Sequence, residues 1–295
     1  MSYGTPASLD ELEAYYTHIR RGRAPGEEQL AELRARYEAI GGTSPLTAIT
    51  RAQGEGIQRA LDRARPDVYR IYLGAKHSSP FIEDAVASMR ADDVTRAVGL
   101  VLAPHYAAAS VGEYVRRAAE AAGDDVRCNF VTSWHLASGY LDVLAGALRA
   151  ALAQVPDGSH VLFTAHSLPS RVVHDGDDYA GRVEETAAAV ADAVGLASWS
   201  VAWQSAGRTD DEWLGPDVVA VIGDLARDGV PGVVVCACGF VADHLEVLYD
   251  LDVEAAAAAQ RAGISFARTA MPNADGAFTE MLAQLVLDAA AELRS

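Results

Sequence analysis

Val230-Pro231-Gly232-Val233-Val234-Val235-Cys236-Ala237-Cys238 runs directly into Gly239-Phe240-Val241-Ala242-Asp243-His244-Leu245-Glu246-Val247-Leu248-Tyr249-Asp250-Leu251-Asp252-Val253-Glu254. The first part is short, β-branched and bounded by Asp228 and Asp243, the composition of a strand buried on both faces. In the second part Val241, Leu245, Leu248 and Leu251 recur at helical spacing and give an apolar face. Glu246, Asp250 and Glu254 stand four residues apart on that predicted helix. Each step of four turns an α-helix by about 40° and advances it about 6 Å, so the carboxylates form one slowly winding file. Their i±4 neighbours are other acids, an unfavourable arrangement that either solvent or a cation relieves. Taken alone, the file reads equally as a solvated face or as a cation site.

Strand followed by helix is the rule along most of the chain. The composition and spacing predict strands at Val68–Leu73, Ala97–Ala103, Val126–Val131, His160–Ala165, Ser198–Gln204, Gly232–Cys238 and Ile264–Ala267. Helices are predicted near 81–91, 111–122, 137–153, 180–195, 217–227, 241–260 and 275–293. This alternation predicts an α/β protein with parallel sheets covered by helices, a Rossmann-like architecture. No dinucleotide fingerprint accompanies it, because Gly54-Glu55-Gly56 is followed by Arg59 where a third glycine belongs. There is no Walker motif and no Gly-x-Ser-x-Gly elbow. Before the alternation begins, Ser8 and Glu11 have the spacing of a capping box. They open a helix with Leu9, Leu12, Tyr16 and Ile19 on its apolar stripe. It ends in Arg20-Arg21-Gly22-Arg23, where cations either favour the helix terminus or wait for a carboxylate ligand. Glu27–Ile40 reads as a second helix, closed by Gly41-Gly42.

The formal net charge of -17 argues against a nucleic-acid groove and an anionic membrane surface. Cys128, Cys236 and Cys238 make no disulfide framework, which points to a reducing compartment. No charged-then-apolar leader opens the chain and no apolar run is long enough to span a bilayer, so the expected location is the cytoplasm. Cys236-Ala237-Cys238 could bind a soft metal, but at a buried strand end the thiols read as small hydrophobes.

In open α/β sheets ligands sit beyond the carboxyl ends of the strands. Lys76-His77, Pro104-His105-Tyr106, His166-Ser167-Leu168-Pro169 and Gln204-Ser205 all follow predicted strands, and the acid file follows another. Histidines and carboxylates are thus expected on one rim. With these residues in view, Tyr15-Tyr16-Thr17-His18-Ile19-Arg20-Arg21-Gly22-Arg23, Thr164-Ala165-His166-Ser167-Leu168-Pro169, Trp203-Gln204-Ser205, Trp213-Leu214-Gly215-Pro216 and Gly239–Glu254 resemble the ferrochelatases. The likeness is to the soluble coproporphyrin ferrochelatases of Gram-positive-type bacteria and runs in order over essentially the whole chain.

The resemblance implies two Rossmann-like, chelatase-type domains with parallel four-stranded sheets flanked by helices. Residues 1–133 with 270–295 would form the first domain and 134–269 the second. It implies insertion of Fe²⁺ into coproporphyrin III with release of two protons, in heme biosynthesis. The family's catalytic pair falls on His166 and Glu246. Metal contacts fall on those two, on Asp250 and Glu254 as outer carboxylates, and on Tyr3 from the opposite face. Porphyrin contacts fall on Tyr3, Arg20, Arg21, Arg36, Ser44, Lys76, His77 and Trp213. Iron would be a substrate and no cofactor required; such enzymes are monomers, with transient contact to neighbouring heme-pathway enzymes. The chemistry fits independently: a flat apolar disc with anionic arms needs apolar walls and arginines. Imidazole accepts protons near neutral pH and binds ferrous iron, while carboxylates suit the hydrated ion. Opposite an acid file and an arginine rim, His166 reads as functional rather than structural.

Three departures set further expectations. Relatives carry an apolar strand before Tyr-Gly-Thr-Pro, whereas here only two residues precede Tyr3; an upstream start is expected. Cys236-Ala237-Cys238 stands where relatives show Cys-Pro-Val or Val-Pro-Val. Some actinobacterial relatives hold an iron–sulfur cluster through a C-terminal extension, and no cluster is expected here. The choice of coproporphyrin rests on Tyr3 and the Tyr15–Arg23 run. Protoporphyrin IX metallation, a Co²⁺ or Ni²⁺ tetrapyrrole chelatase and a non-catalytic heme carrier are the rival readings.

Overall fold

The computed structural model describes residues 1–171, 176–207, 209 and 211–293. A 3-10 turn (Leu9–Glu11) leads into α1 (Leu12–Ile19), α2 (Glu27–Ala39), α3 (Leu46–Ala64) and α4 (Ile82–Ala91). Then come β1 (Arg96–Leu100), α5 (Val111–Ala122) and β2 (Arg127–Val131). The second half contains α6 (Ser138–Leu152), β3 (His160–His166), α7 (Tyr179–Val194), β4 (Trp199–Gln204), α8 (Val218–Arg227) and β5 (Gly232–Cys236). Next α9 (Leu245–Tyr249), a π turn (Asp250–Ala255) and α10 (Ala256–Ala262) follow one another without a break. β6 (Ser265–Arg268) and α11 (Gly276–Glu292) complete the fold. Among the described residues no helix is long and apolar enough to cross a membrane.

The second-half sheet is parallel throughout, in the order β4-β3-β5-β6. Every residue of β5 is buried, as its unbroken apolar run demands of a strand covered on both faces. From β3 the chain crosses to β4 on one side, and from β5 it crosses to β6 on the other. The connections therefore diverge between β3 and β5, and this switch point opens a crevice at their carboxyl ends. His166 ends β3, and the acid-bearing helix follows β5.

The first half is built differently. β1 and β2 form a two-stranded parallel ladder rather than the expected four-stranded sheet. The Met1 amine donates to Leu100 O at 2.7 Å and Leu102 N–H donates to Met1 O. On the other side Ser2 N–H donates to Gly74 O, and Lys76 and His77 N–H groups donate to Ser2 and Tyr3 carbonyls. Residues 1–3 thus bridge the 74–77 segment to the end of β1. Val68–Leu73, expected as a strand, joins no ladder. A groove of about 680 Å³, lined by Ile71, Leu73, Val98, Leu100 and Phe130, lies alongside it. Gln58 meets this segment with its side chain instead, accepting from Ile71 N–H at 2.8 Å and donating to Tyr69 O at 2.9 Å.

One apolar core joins the halves, with Ile57, Leu61 and Leu100 in the same cluster as Phe163, Val234 and Phe278. Trp134, Tyr140 and Phe278 stack where they meet, Trp134 lying 5.1 Å from Tyr140 and 6.0 Å from Phe278 between ring centres. α11 is capped by Asp275 and packs on α3, β1 and β2, and also on α6. Two local expectations change. Ser8 makes no side-chain cap; the Glu11 carboxylate instead accepts from Ala7 N–H at 3.0 Å. α3, nineteen residues long, was hidden by Gly54 and Gly56. These glycines serve close packing, since a Cβ on Gly56 would come within 2.7 Å of the Thr279 side chain on α11.

Candidate active site

The rim residues come together at the switch point. His166 Nδ1 donates to Ser167 O at 2.5 Å, which leaves Nε2 facing Glu246 Oε1 at 3.5 Å. Tyr179 on α7 fixes the backbone behind it by donating to His166 O at 3.0 Å. Glu246, the second residue of α9, is addressed by a second imidazole: His244 Nε2 lies 3.4 Å from Oε2. Gln204 holds the same residue from below, donating from Nε2 to Glu246 O at 3.0 Å while Oε1 accepts from Thr164 at 2.9 Å. The side chains of His166 and Glu246 are 35 % and 30 % exposed, so the pair is partly open to solvent.

Electrostatics couples the pair. Burial pulls His166 down, but the Glu246 carboxylate, the Ser167 carbonyl and Asp250 outweigh it and carry the imidazole up to about 9. Burial also acts to raise Glu246, yet His166 and His244 hold it well below the carboxylate range. Together these effects favour an imidazolium–carboxylate pair.

Asp250 continues the file and is 5 % exposed. The Ser205 hydroxyl donates to its Oδ2, and Ser205 takes the left-handed region (φ 60°) to do so. Among the described residues Oδ1 has no hydrogen-bond partner, and it lies 3.7 Å from Arg36 Nη1. Arg36 reaches from α2, lying over the Tyr249 ring at 5.0 Å. Burial and Glu246 push the Asp250 carboxyl up to about 6, against Ser205 and Arg36. Half-buried Glu254 lies within the π turn. A π turn takes about 4.4 residues, so a step of four within it swings about 30° back rather than 40° forward. The turn therefore offsets the drift between Glu246 and Asp250 and makes the file straighter than a plain α-helix would. Among the described residues no three His, Cys, Asp or Glu side chains converge closely enough to hold an ion. The acids form a file, not a cage.

Further predicted residues come from the first half. A hollow of about 1010 Å³ is lined by Tyr3, Arg21, Lys76, His77, Glu113 and Arg117, among others. Tyr3 is 41 % exposed, its ring 4.6 Å from that of His77. Burial of its hydroxyl and the negative charge of Glu246 both push the phenol up. His77 Nδ1 lies 3.0 Å from His18 Nδ1, and burial with the Lys76 charge takes His77 down to about 3, a neutral ring. Lys76 pairs with Glu113 at 2.6 Å.

Other predicted contacts have local uses. Arg20 donates to Gln29 at 2.9 Å and to Arg23 O, while Arg21 (φ 56°) faces the hollow. Ser44 Oγ accepts from Leu46 N–H at the start of α3. Trp213 donates to Thr209 and bridges to Pro169, three residues beyond His166. His105 leaves the expected rim: it is buried against Thr186 of α7 at 2.8 Å. Cys236 and Cys238 are core groups, and burial pushes the Cys236 thiol up to about 12. The sequence reading missed His244, because residues two apart on a helix do not face each other. Here His244 is extended (φ -157°) just before α9, which turns it toward Glu246.

Comparison with known proteins identifies the family. The chain shares 43 % identity with the coproporphyrin III ferrochelatase of Geobacillus kaustophilus, over 99 % of this chain and 95 % of that one. It shares 41 % with the coproporphyrin III ferrochelatase of Bacillus subtilis, over 97 % and 95 %. The ferrochelatase of Herpetosiphon aurantiacus is 40 % identical over 97 % and 96 %. Among solved structures, SirB from Bacillus subtilis with Fe³⁺ superposes with a TM-score of 0.55 at 14 % identity, over 82 % of this chain and 91 % of that one; this is a likeness of fold. The family profile described as Ferrochelatase matches residues 1–290, and with relatives this similar along nearly its whole length the chain belongs to the ferrochelatase family.

Proposed function

We infer that this chain inserts Fe²⁺ into coproporphyrin III, giving iron coproporphyrin and two protons, as a step of heme biosynthesis. The observation that carries the reading is His166 Nε2 set 3.5 Å from Glu246 Oε1 at the switch point. The relatives named for the same substrate support the choice of macrocycle. Insertion takes two protons from the pyrrole nitrogens and the water shell from the ion. Asp250 and Glu254 offer oxygens to the hydrated ion, and Glu246 passes it to the ring. His166 first passes its own proton through Glu246 and His244 to solvent and then takes a pyrrole proton; the second pyrrole proton leaves by the same Glu246–His244 route. Tyr3, Arg21, Lys76 and His77 form the wall against which the macrocycle and its carboxylate arms rest.

Iron and porphyrin are both substrates in this reading, and no resident cofactor or iron–sulfur cluster takes part. The working form is a cytoplasmic monomer that contacts neighbouring heme-pathway enzymes transiently. An anaerobic assay with Fe²⁺ and either coproporphyrin III or protoporphyrin IX tests the function. Faster metallation of coproporphyrin is expected; preference for protoporphyrin, or binding without turnover, would overturn it. His166→Ala should abolish metallation while porphyrin binding, read by fluorescence quenching, stays measurable. Near-normal turnover of that variant would remove His166 from the chemistry.

A further inference from the structure

One guanidinium ties the residue just ahead of the acid-bearing segment to the middle of it. Arg268, at the end of β6, donates from Nε to Asp252 Oδ1 at 2.6 Å and from Nη2 to Asp252 Oδ2 at 2.9 Å. The same Nη2 donates to Asp243 Oδ1 at 3.0 Å, and Nη1 donates to Thr269 O at 3.1 Å. Asp243 lies three residues before Glu246, and Asp252 lies two residues after Asp250, inside the π turn. The fork fixes the planar guanidinium in a way an ammonium cannot match.

The far side of this clamp is also tied down. Asp243 Oδ2 accepts from Asn273 Nδ2 at 2.7 Å, and Asn273 Oδ1 accepts from Asp243 N–H at 2.8 Å. Asn273 adopts φ 46° to make both bonds. Gln53 of α3 then donates to Val241 O at 3.3 Å and to Asn273 O at 2.9 Å, so the lattice reaches the first half of the molecule. A π turn is rare because its wider ring is less favourable than an α turn, and one that persists needs contacts outside the helix. Asp252 and its guanidinium supply such a contact.

We propose that Arg268 is a positioning residue for metal delivery: held between Asp243 and Asp252, it maintains the π turn and so keeps Asp250 and Glu254 in line with Glu246. The inference rests on the reading that the acid file hands the metal to the macrocycle. Without the clamp the segment relaxes toward a plain α-helix, Glu254 swings out of line, and the ion meets its carboxylates in the wrong order. The macrocycle wall, built from the first half, is untouched.

Full-length Arg268→Lys and Asp252→Asn proteins test this, with anaerobic Fe²⁺ insertion into coproporphyrin III resolved into kcat, KM for Fe²⁺ and KM for porphyrin. Both variants should raise KM for Fe²⁺ about 10-fold, the scale at which partners behind a metal ligand act. KM for porphyrin should stay within about twofold. A purely structural role would lower the active fraction and leave both KM values alone. That result, or an equal rise in both KM values, overturns the proposal. Asp252 is a partly exposed acid, so its variant keeps the test decisive if Arg268→Lys folds poorly. Asp250→Asn in the same assay separates the failures. If it leaves Fe²⁺ use unchanged, the acid file itself is wrong; if it impairs Fe²⁺ use while Arg268→Lys and Asp252→Asn do not, only the clamp is wrong.

Discussion

The two halves that carry the candidate site residues are built to different standards. The second half stands on a four-stranded ladder in which one of the two central strands, β5, is buried at every residue. Its working groups are each held by a named partner: His166 by Ser167, Glu246 by Gln204, Asp250 by Ser205. The first half stands on two paired strands beside an apolar groove, and its site residues lie on loops and helix ends. The difference follows the demands on each half. Proton and metal transfer need angstrom-scale placement, whereas a flat macrocycle needs breadth and charge.

Three measurements press on this contrast. The largest effect is expected in the second half, where Glu246→Gln should lower insertion about 100-fold or more, the range of a lost acid–base group. Porphyrin affinity should hardly change, and a loss of under about tenfold would level the two halves. Next comes pH. In the proposed reading Asp250 must be ionised to take a cation, and burial pushes its carboxyl up to about 6. KM for Fe²⁺ should therefore climb about tenfold per unit as pH falls below that value, and Asp250→Asn should flatten the slope. The linked stability has the opposite sign. Between 3.8 and about 6 the folded state keeps a proton that the unfolded chain has lost, so ionised Asp250 costs stability at neutral pH. Asp250→Asn should then unfold at higher urea than the wild type at pH 7, with the gap closing toward pH 4.

The smallest effect compares two glycines by thermal unfolding. A Cβ on Gly239 would meet the Ala165 backbone at 2.6 Å, which cannot yield, so Gly239→Ala should cost about 1–3 kcal/mol. A Cβ on Gly99 would meet the Phe130 ring at 2.5 Å, but that ring borders the groove and has room to turn. Gly99→Ala should cost less than about 1 kcal/mol. Equal costs would mean that the first half is packed as tightly as the second.

Much of this was legible in the residues, because helical and strand periodicity survive wherever an element buries one face. The runs around 160–166, 199–204 and 232–236 read as strands since their apolar content is set by two-sided burial. His166 and Glu246 were legible because strand ends and acid spacing are local signals. What escaped depended on distant partners. α3 looked broken because Gly54 and Gly56 exist to let Leu73 and Thr279 approach. The segment 68–73 has strand composition, but a ladder needs a neighbour that composition cannot supply. The π turn is decided in part by Asp252 meeting an arginine sixteen residues away. Ser8 lost its cap when Glu11 found Ala7 instead.

Gln204 carries a consequence beyond its two bonds. Both ends of its carboxamide are committed, the oxygen to the Thr164 hydroxyl and the nitrogen to the Glu246 carbonyl, within an almost fully enclosed pocket. The group is thus polarised in one direction, and reversing it would set donor against donor and acceptor against acceptor. A neutral side chain with no reactivity becomes the keyed part that lets Glu246 be mounted on the sheet in a single orientation.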